Sequence, residues 1–192
     1  MSAAVWILAV ALLAGLYIWY TVIVRRLNRV SEALAGIDVQ LNQRHDLIPN
    51  LLKIARRFME YERALLEEIT ALRTRALSQG AKGGTAAAEE KFAAEEQLSA
   101  CIGRLFAVAE NYPELRSDGP MIEAQRGYQE VETNIAAARR SYNATVGELS
   151  NVIQIFPGQL LARLAGVTSP PPFFKAEESA RAPVDALKHL GG

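Results

Sequence analysis

The sequence predicts an all-α protein: an N-terminal transmembrane helix followed by an antiparallel helical bundle of three to four long helices. Three observations predict it. Val5–Val24, VWILAVALLAGLYIWYTVIV, is twenty residues without a charge. At about 1.5 Å per residue it covers about 30 Å, the hydrocarbon thickness of a bilayer. The remaining chain repeats apolar residues at alternating three- and four-residue spacing, the period of packed helices. Turn-forming clusters at Ser78–Gly84, Ser117–Pro120 and Pro157-Gly158 cut that pattern into segments. The chain divides into a leader (1–4), a span (5–24), a bundle (25–166) and a Pro-rich tail (167–192).

The span reads as retained. A cleaved signal peptide needs basic residues before its apolar core and small residues after it. Here no Lys or Arg precedes the run, and Trp19, Tyr20, Ile23, Arg25 and Arg26 close it. Trp6 near one end, and Tyr17, Trp19 and Tyr20 near the other, suit the two lipid–water boundaries. Arg25, Arg26 and Arg29 follow the span, so the positive-inside bias puts the N-terminus outside and the domain in the cytoplasm.

The first bundle segment carries its seam on Val30, Leu34, Ile37, Leu41, Arg44, Ile48, Leu51, Ala55, Phe58, Glu62, Leu65, Ile69, Leu72 and Ala76. Twelve of these fourteen positions are apolar, so the seam holds across Arg44 and Glu62. Such polar seam positions can fix register at a cost in stability, but these two are expected to snorkel to solvent past their neighbours. Pro49 cannot donate to the carbonyl of His45. A kink or break is expected there, with Asp46 as the cap of a second helix if it breaks. After Ser78–Gly84 the pattern resumes near Thr85, an N-cap candidate, and runs through Leu98, Ile102, Leu105, Val108 or Ala109, and Tyr112 to Pro113. A long helix follows from about Met121 to Phe156, with its seam on Tyr128, Val131, Ile135, Ala138, Tyr142, Thr145, Leu149, Val152 and Phe156. Phe156 is expected to be buried. A short helix over about Gln159–Leu164 ends near Gly166. Ser169-Pro170-Pro171-Pro172 reads as a spacer or wrap-around segment, Phe173-Phe174 as packing back on the bundle, and 183–192 as loosely ordered.

Composition bounds function. Lys+Arg and Asp+Glu are 21 each, so no basic excess points to nucleic acid. The lone Cys101 lies in an apolar pattern, where a buried, inert thiol is expected. The chain has no CxxC, HExxH, GxSxG, GxxxxGK[ST] or GxGxxG. His45 and His189 lie on different segments, too few for a zinc site, and neither follows Glu by three residues as a di-iron bundle requires. Glu67-Glu68, Glu89-Glu90 and Glu95-Glu96 are adjacent pairs, which read as solvated stripes. The expectation is a non-enzyme without metal or cofactor. Arg139-Arg140 beside Tyr142-Asn143 suits either an anionic partner or ties within the bundle. Glu132, two turns earlier on the same helix, favours the ties.

Several stretches together resemble the LemA family of bacterial membrane-anchored helical proteins. They are NRVSEALAGIDVQLNQRHDLIPNLL (28–52), AEEQLSACIGRLFAVAENYPELR (94–116), ETNIAAARRSYNATV (132–146), IFPGQLLARLAG (155–166) and FFKAEESAR (173–181). Leu34, Tyr61 and Leu149-Ser150 depart from the family's tendency to Trp, His and a second Tyr-Asn. The resemblance implies a single-pass protein of the bacterial inner membrane and gives weight to Asp38, Asp46, Pro49, Asn50, Tyr112, Pro113, Arg139, Arg140, Tyr142, Asn143 and Pro157, beside the seam residue Arg44. It implies an interaction or scaffold role, with a regulatory or sensory subunit of a membrane protease or kinase as the alternative. The expected partners are the bilayer, through residues 5–24, and an unidentified membrane-associated protein; a homo-oligomer stays open.

Overall fold

The computed structural model describes residues 3–79, 85–167 and 169–174. The elements are α1 (Ala3–Ala55), a 3-10 turn (Glu60–Glu62), α2 (Arg63–Gln79), α3 (Thr85–Ala109), α4 (Pro113–Arg116), α5 (Gly119–Gln154) and α6 (Gly158–Leu164). The fold is all-α, as the seam spacing requires. The expected cap at Thr85 and the end of the chain beyond Phe174 lie outside the described side chains.

One helix, α1, carries both the apolar span and the first bundle helix, and it passes residues 24–25 without interruption. At 53 residues it is about 80 Å long. It is long and apolar enough near its N-terminus to cross a membrane. Pairs across the bundle give the directions. Arg26 and Arg44 of α1 meet Glu148 and Glu132 of α5, so those two helices are antiparallel. Asp38 and Arg44 meet Lys91 and Glu95, so α3 runs parallel to α1. The Arg73 side chain of α2 reaches His45, and α2 returns toward the span. The result is an up-down-up-down bundle at the far end. α1 paired with α5 and braced by α6 continues it toward the N-terminal apolar segment.

Two apolar clusters fill it. The distal one gathers Ile48, Leu51, Met59, Ile69, Leu98, Ile102, Leu105 and Leu115. The proximal one gathers Ile23, Val30, Ile37, Leu41, Ile135, Tyr142, Val146, Leu149 and Ile153. Cys101 is buried in the distal cluster, and burial pushes its thiol pKa up, as expected for an inert thiol. At the head of α5, Asp118 caps the helix by accepting from the Met121 N–H, with Pro120 in the first turn.

Three expectations are corrected. First, of the kink or break expected at Pro49, the break and its Asp46 cap are not found there: α1 runs on to Ala55 and the interruption falls at Arg56–Met59. The carbonyl that Pro49 leaves without its N–H partner is that of His45, and Arg73 Nε donates to it at 2.9 Å. A side chain from α2 thus replaces the missing backbone bond. Second, Arg44 does not snorkel: it is 0% exposed. Glu62 is half-buried and accepts from the Tyr112 hydroxyl. Third, the seam of α5 advances faster than a strict three-four alternation. Val146 and Ile153 are buried where Thr145 and Val152 were expected, because 3.6 residues per turn outruns 3.5 over several turns. Phe156 is consequently not core: α5 ends at Gln154, and Phe156 is 77% exposed.

The substitution of a guanidinium for a backbone donor is testable. Arg73→Met should destabilise the full chain by about 1.5–3 kcal/mol, the worth of a charge-assisted hydrogen bond to a part-buried carbonyl. In a Pro49→Ala background the backbone N–H returns, and the same change should cost less than half as much. Urea unfolding in mild detergent, followed by circular dichroism, measures both; equal costs in the two backgrounds would refute the role.

Candidate functional site

At the junction of the two apolar clusters lies a buried charge cluster. Helical spacing puts Arg44 on the inner face of α1, one turn after Leu41 and one before Ile48. Its Nη1 donates to Glu132 Oε1 at 2.8 Å, and its Nη2 to both the side-chain carboxylate of Glu95 and the Glu95 carbonyl. His45 Nε2 donates to the other Glu95 oxygen at 2.9 Å. Glu95 is 1% exposed, so the expectation of a solvated Glu95-Glu96 stripe holds only for Glu96. Arg44 Nε and His45 Nδ1 have no partner among the described residues.

Electrostatics follow from that geometry. Burial acts against the Arg44 charge, but the Glu95 and Glu132 carboxylates outweigh it and raise its pKa. Burial likewise acts against an ionised Glu95. The hydrogen bond from His45 and the charge of Arg44 win, and its pKa is lowered. Burial and the Glu132 carboxylate push up the Tyr128 phenol, one turn earlier on α5. A cavity of about 170 Å³ lined by Asp38, Asn42, His45, Lys91 and Glu95 adjoins the cluster. Ordinary ligand sites start at about 300 Å³. The charged ends of Arg44, Glu95 and Glu132 are committed to one another, which is the chemistry of a structural clasp.

A second constellation sits on the ARRSYN stretch of α5. The Tyr142 hydroxyl donates to the Pro172 carbonyl at 3.0 Å. Asn143 Nδ2 donates to the Phe174 carbonyl at 3.0 Å, and the Phe174 N–H donates to Asn143 Oδ1 at 2.9 Å. Asn143 therefore binds the backbone of the tail as a strand neighbour would. The Phe174 ring packs on Phe92 of α3 and edge-on against Tyr142. The Arg139 guanidinium lies 5.2 Å from the Phe174 ring centroid, in cation–π range. Burial, then the charge of Arg44, lowers the Arg139 pKa.

The remaining expected positions are dispersed. Asp38 pairs with Lys91 at 2.6 Å. Tyr112 precedes α4, and Pro113 opens that helix. Pro157 directly precedes α6. Asp46, Pro49, Asn50 and Arg140 are exposed. The tie expected between Glu132 and Arg140 is replaced by Glu132 with Arg44, because the buried guanidinium has the greater need of charge. Sequence reasoning passed over Glu95, Glu132 and His45 as a unit. The signal was available in the apolar seam, where an arginine buried at the centre demands carboxylates from facing helices.

Arg44→Met should cost about 3–5 kcal/mol in urea unfolding, since it strands two carboxylates, one of them fully buried. The acid response follows from Glu95. Its folded pKa lies below the ordinary 4.5, so its contribution is present above that value and is lost as pH falls through the folded pKa. Glu95→Gln should therefore lower stability at neutral pH and flatten its decline below about pH 4.5. An acid limb as steep as in the parent chain would place that titration elsewhere.

The sequence model of the LemA family matches residues 33–186. Two relatives, Magnetosome protein MamQ 2 and Magnetosome protein MamQ 1 of Paramagnetospirillum magneticum, are each 24% identical over 82% of this chain and 65% of their own length. The chain thus spans a little under two thirds of those relatives. The family match begins at Ala33 and covers the rest of α1, the Arg44 cluster, the Asn143 clasp and α6, and on that extent the chain belongs to the LemA family.

Proposed function

We propose that this protein is a membrane-tethered docking protein of the LemA type, without catalysis of its own. It is held by residues 5–24 in a bacterial cytoplasmic membrane with its bundle in the cytoplasm. The observation that carries this reading is the division of labour among the family-motif residues. Arg44, Tyr142 and Asn143 are consumed by internal contacts. Asp46, Pro49 and Asn50 remain on the surface of α1 about 33–39 Å beyond the span. Beside them a groove of about 390 Å³ between α1 and α2 is lined by Pro49, Leu52, Lys53, Arg56, Thr70 and Arg73. Its cations suit an acidic segment of a membrane-associated protein. The relatives are named as magnetosome proteins, and those names carry no substrate.

Orientation and docking are checked together. In a Cys101→Ala chain, Tyr61→Cys should resist an impermeant thiol reagent in intact cells and react once the inner membrane is opened. A photo-crosslinker replacing Asn50 should then capture one discrete protein in native membranes, and Lys53→Glu with Arg56→Glu should abolish that adduct. Labelling in intact cells would reverse the topology. An adduct indifferent to the charge reversals would move docking away from this groove.

A further inference from the structure

Four large apolar side chains between residues 155 and 164 face outward. Ile155 is 58% exposed, Phe156 77%, Leu160 63% and Leu164 77%. Other exposed large apolar residues on the described bundle, such as Val39, Tyr61 and Ile122, stand singly. The short helix α6 is apolar on two sides. Leu161 and Ala162 join the proximal core, while Leu160 and Leu164, one turn apart, point away from it. Gln159 and Arg163, also one turn apart, form the polar stripe between them. A contiguous patch of this kind is costly in water and marks an interaction surface.

Its position names the occupant. Gly158 is seated against the span: a Cβ there would collide with the Val152 carbonyl and come within 3.1 Å of Trp19 Nε1. Leu16 and Trp19 pack on the same cluster as Leu161 and Ala162. Trp19 lies five residues before the end of Val5–Val24, so α6 sits about 7–8 Å inside the apolar boundary of the span. An interfacial helix buries its apolar face about 5–10 Å into the headgroup–acyl boundary. The Arg26–Glu148 pair marks where charge resumes on both α1 and α5.

We propose that the elbow from Ile155 to Leu164 is a second membrane contact, lying in the interface of the leaflet on the domain's side. Ile155, Phe156, Leu160 and Leu164 take phospholipid acyl chains, and Arg163 snorkels back to the phosphates. The proposal rests on the reading of residues 5–24 as the anchor. The outward apolar side chains are then solvated by lipid, and the protein grips the bilayer at two adjoining places. Val152, Ile153 and the elbow enter the interface as a wedge beside the span.

The test uses the full chain, with Cys101→Ala, reconstituted in phosphatidylethanolamine–phosphatidylglycerol vesicles. An environment-sensitive fluorophore is attached singly at Phe156→Cys, Leu160→Cys or Leu164→Cys, with Tyr61→Cys as the aqueous control and Leu12→Cys as the span control. Circular dichroism confirms the fold of each. Quenching by aqueous iodide should be about five-fold weaker at positions 160 and 164 than at 61, and lipids carrying a nitroxide high on the acyl chain should quench both. Iodide quenching at 160 and 164 equal to that at 61, with 12 protected, overturns the elbow contact and leaves the anchor standing. Protection from iodide without quenching by nitroxide lipid overturns lipid as the occupant in favour of a second protein surface. Iodide access at 12 overturns the anchor reading and the elbow with it.

Discussion

The bundle is organised around one guanidinium that has no access to water. Arg44 sits between two apolar clusters, and an unpaired charge there would cost several kcal/mol, a large share of a fold's margin of stability. Its neutralisation needs Glu95 from α3 and Glu132 from α5 at the same level as α1. Sliding either helix by a turn, about 5.4 Å, would remove a carboxylate and leave apolar side chains facing the charge. Apolar seams tolerate such slips because one leucine layer resembles the next. The charge cluster does not, so it sets the register of three helices while contributing little net energy as a pair.

The same logic explains how far the sequence could be read. Helix existence and direction were legible because core residues recur at a helical period and the turns between them are rich in glycine and proline. Val30, Ile37, Leu41, Leu98, Ile102 and Leu105 are buried as that period demands. What was not legible depends on residues far apart in sequence. Arg44 looked like a polar intrusion on a seam, and Glu95 like one of a solvated pair, because neither alone shows its partner. Pro49 looked like a kink or a break because Arg73, which takes the His45 carbonyl, lies on another helix. Phe156 was misplaced by local geometry: a heptad extrapolated over many turns drifts off the true face, and α5 stops before reaching it.

The ARRSYN stretch divides differently. Its residues suited either an anionic partner or ties within the bundle, and the structure gives Tyr142 and Asn143 an intramolecular role, fastening the tail segment that ends at Phe174. This fastening brings Phe92, Tyr142, Arg139 and Phe174 together where α3 meets the α1–α5 pair. The tail therefore closes the gap that an otherwise two-helix stretch would leave over its own core. Arg140, exposed beside it, takes no part in the clasp.

Continuity of α1 has a mechanical consequence. A helix that leaves the span and enters the bundle without a hinge behaves as a lever whose fulcrum is the membrane surface. Membrane helices tilt by about 20° on average, and the tilt responds to bilayer thickness. With Asn50 about 40 Å beyond the span, a change of 10° carries that surface sideways by about 7 Å. Rotation of the span about its own axis is passed along the same helix, since at Pro49 the lost backbone bond is replaced by Arg73.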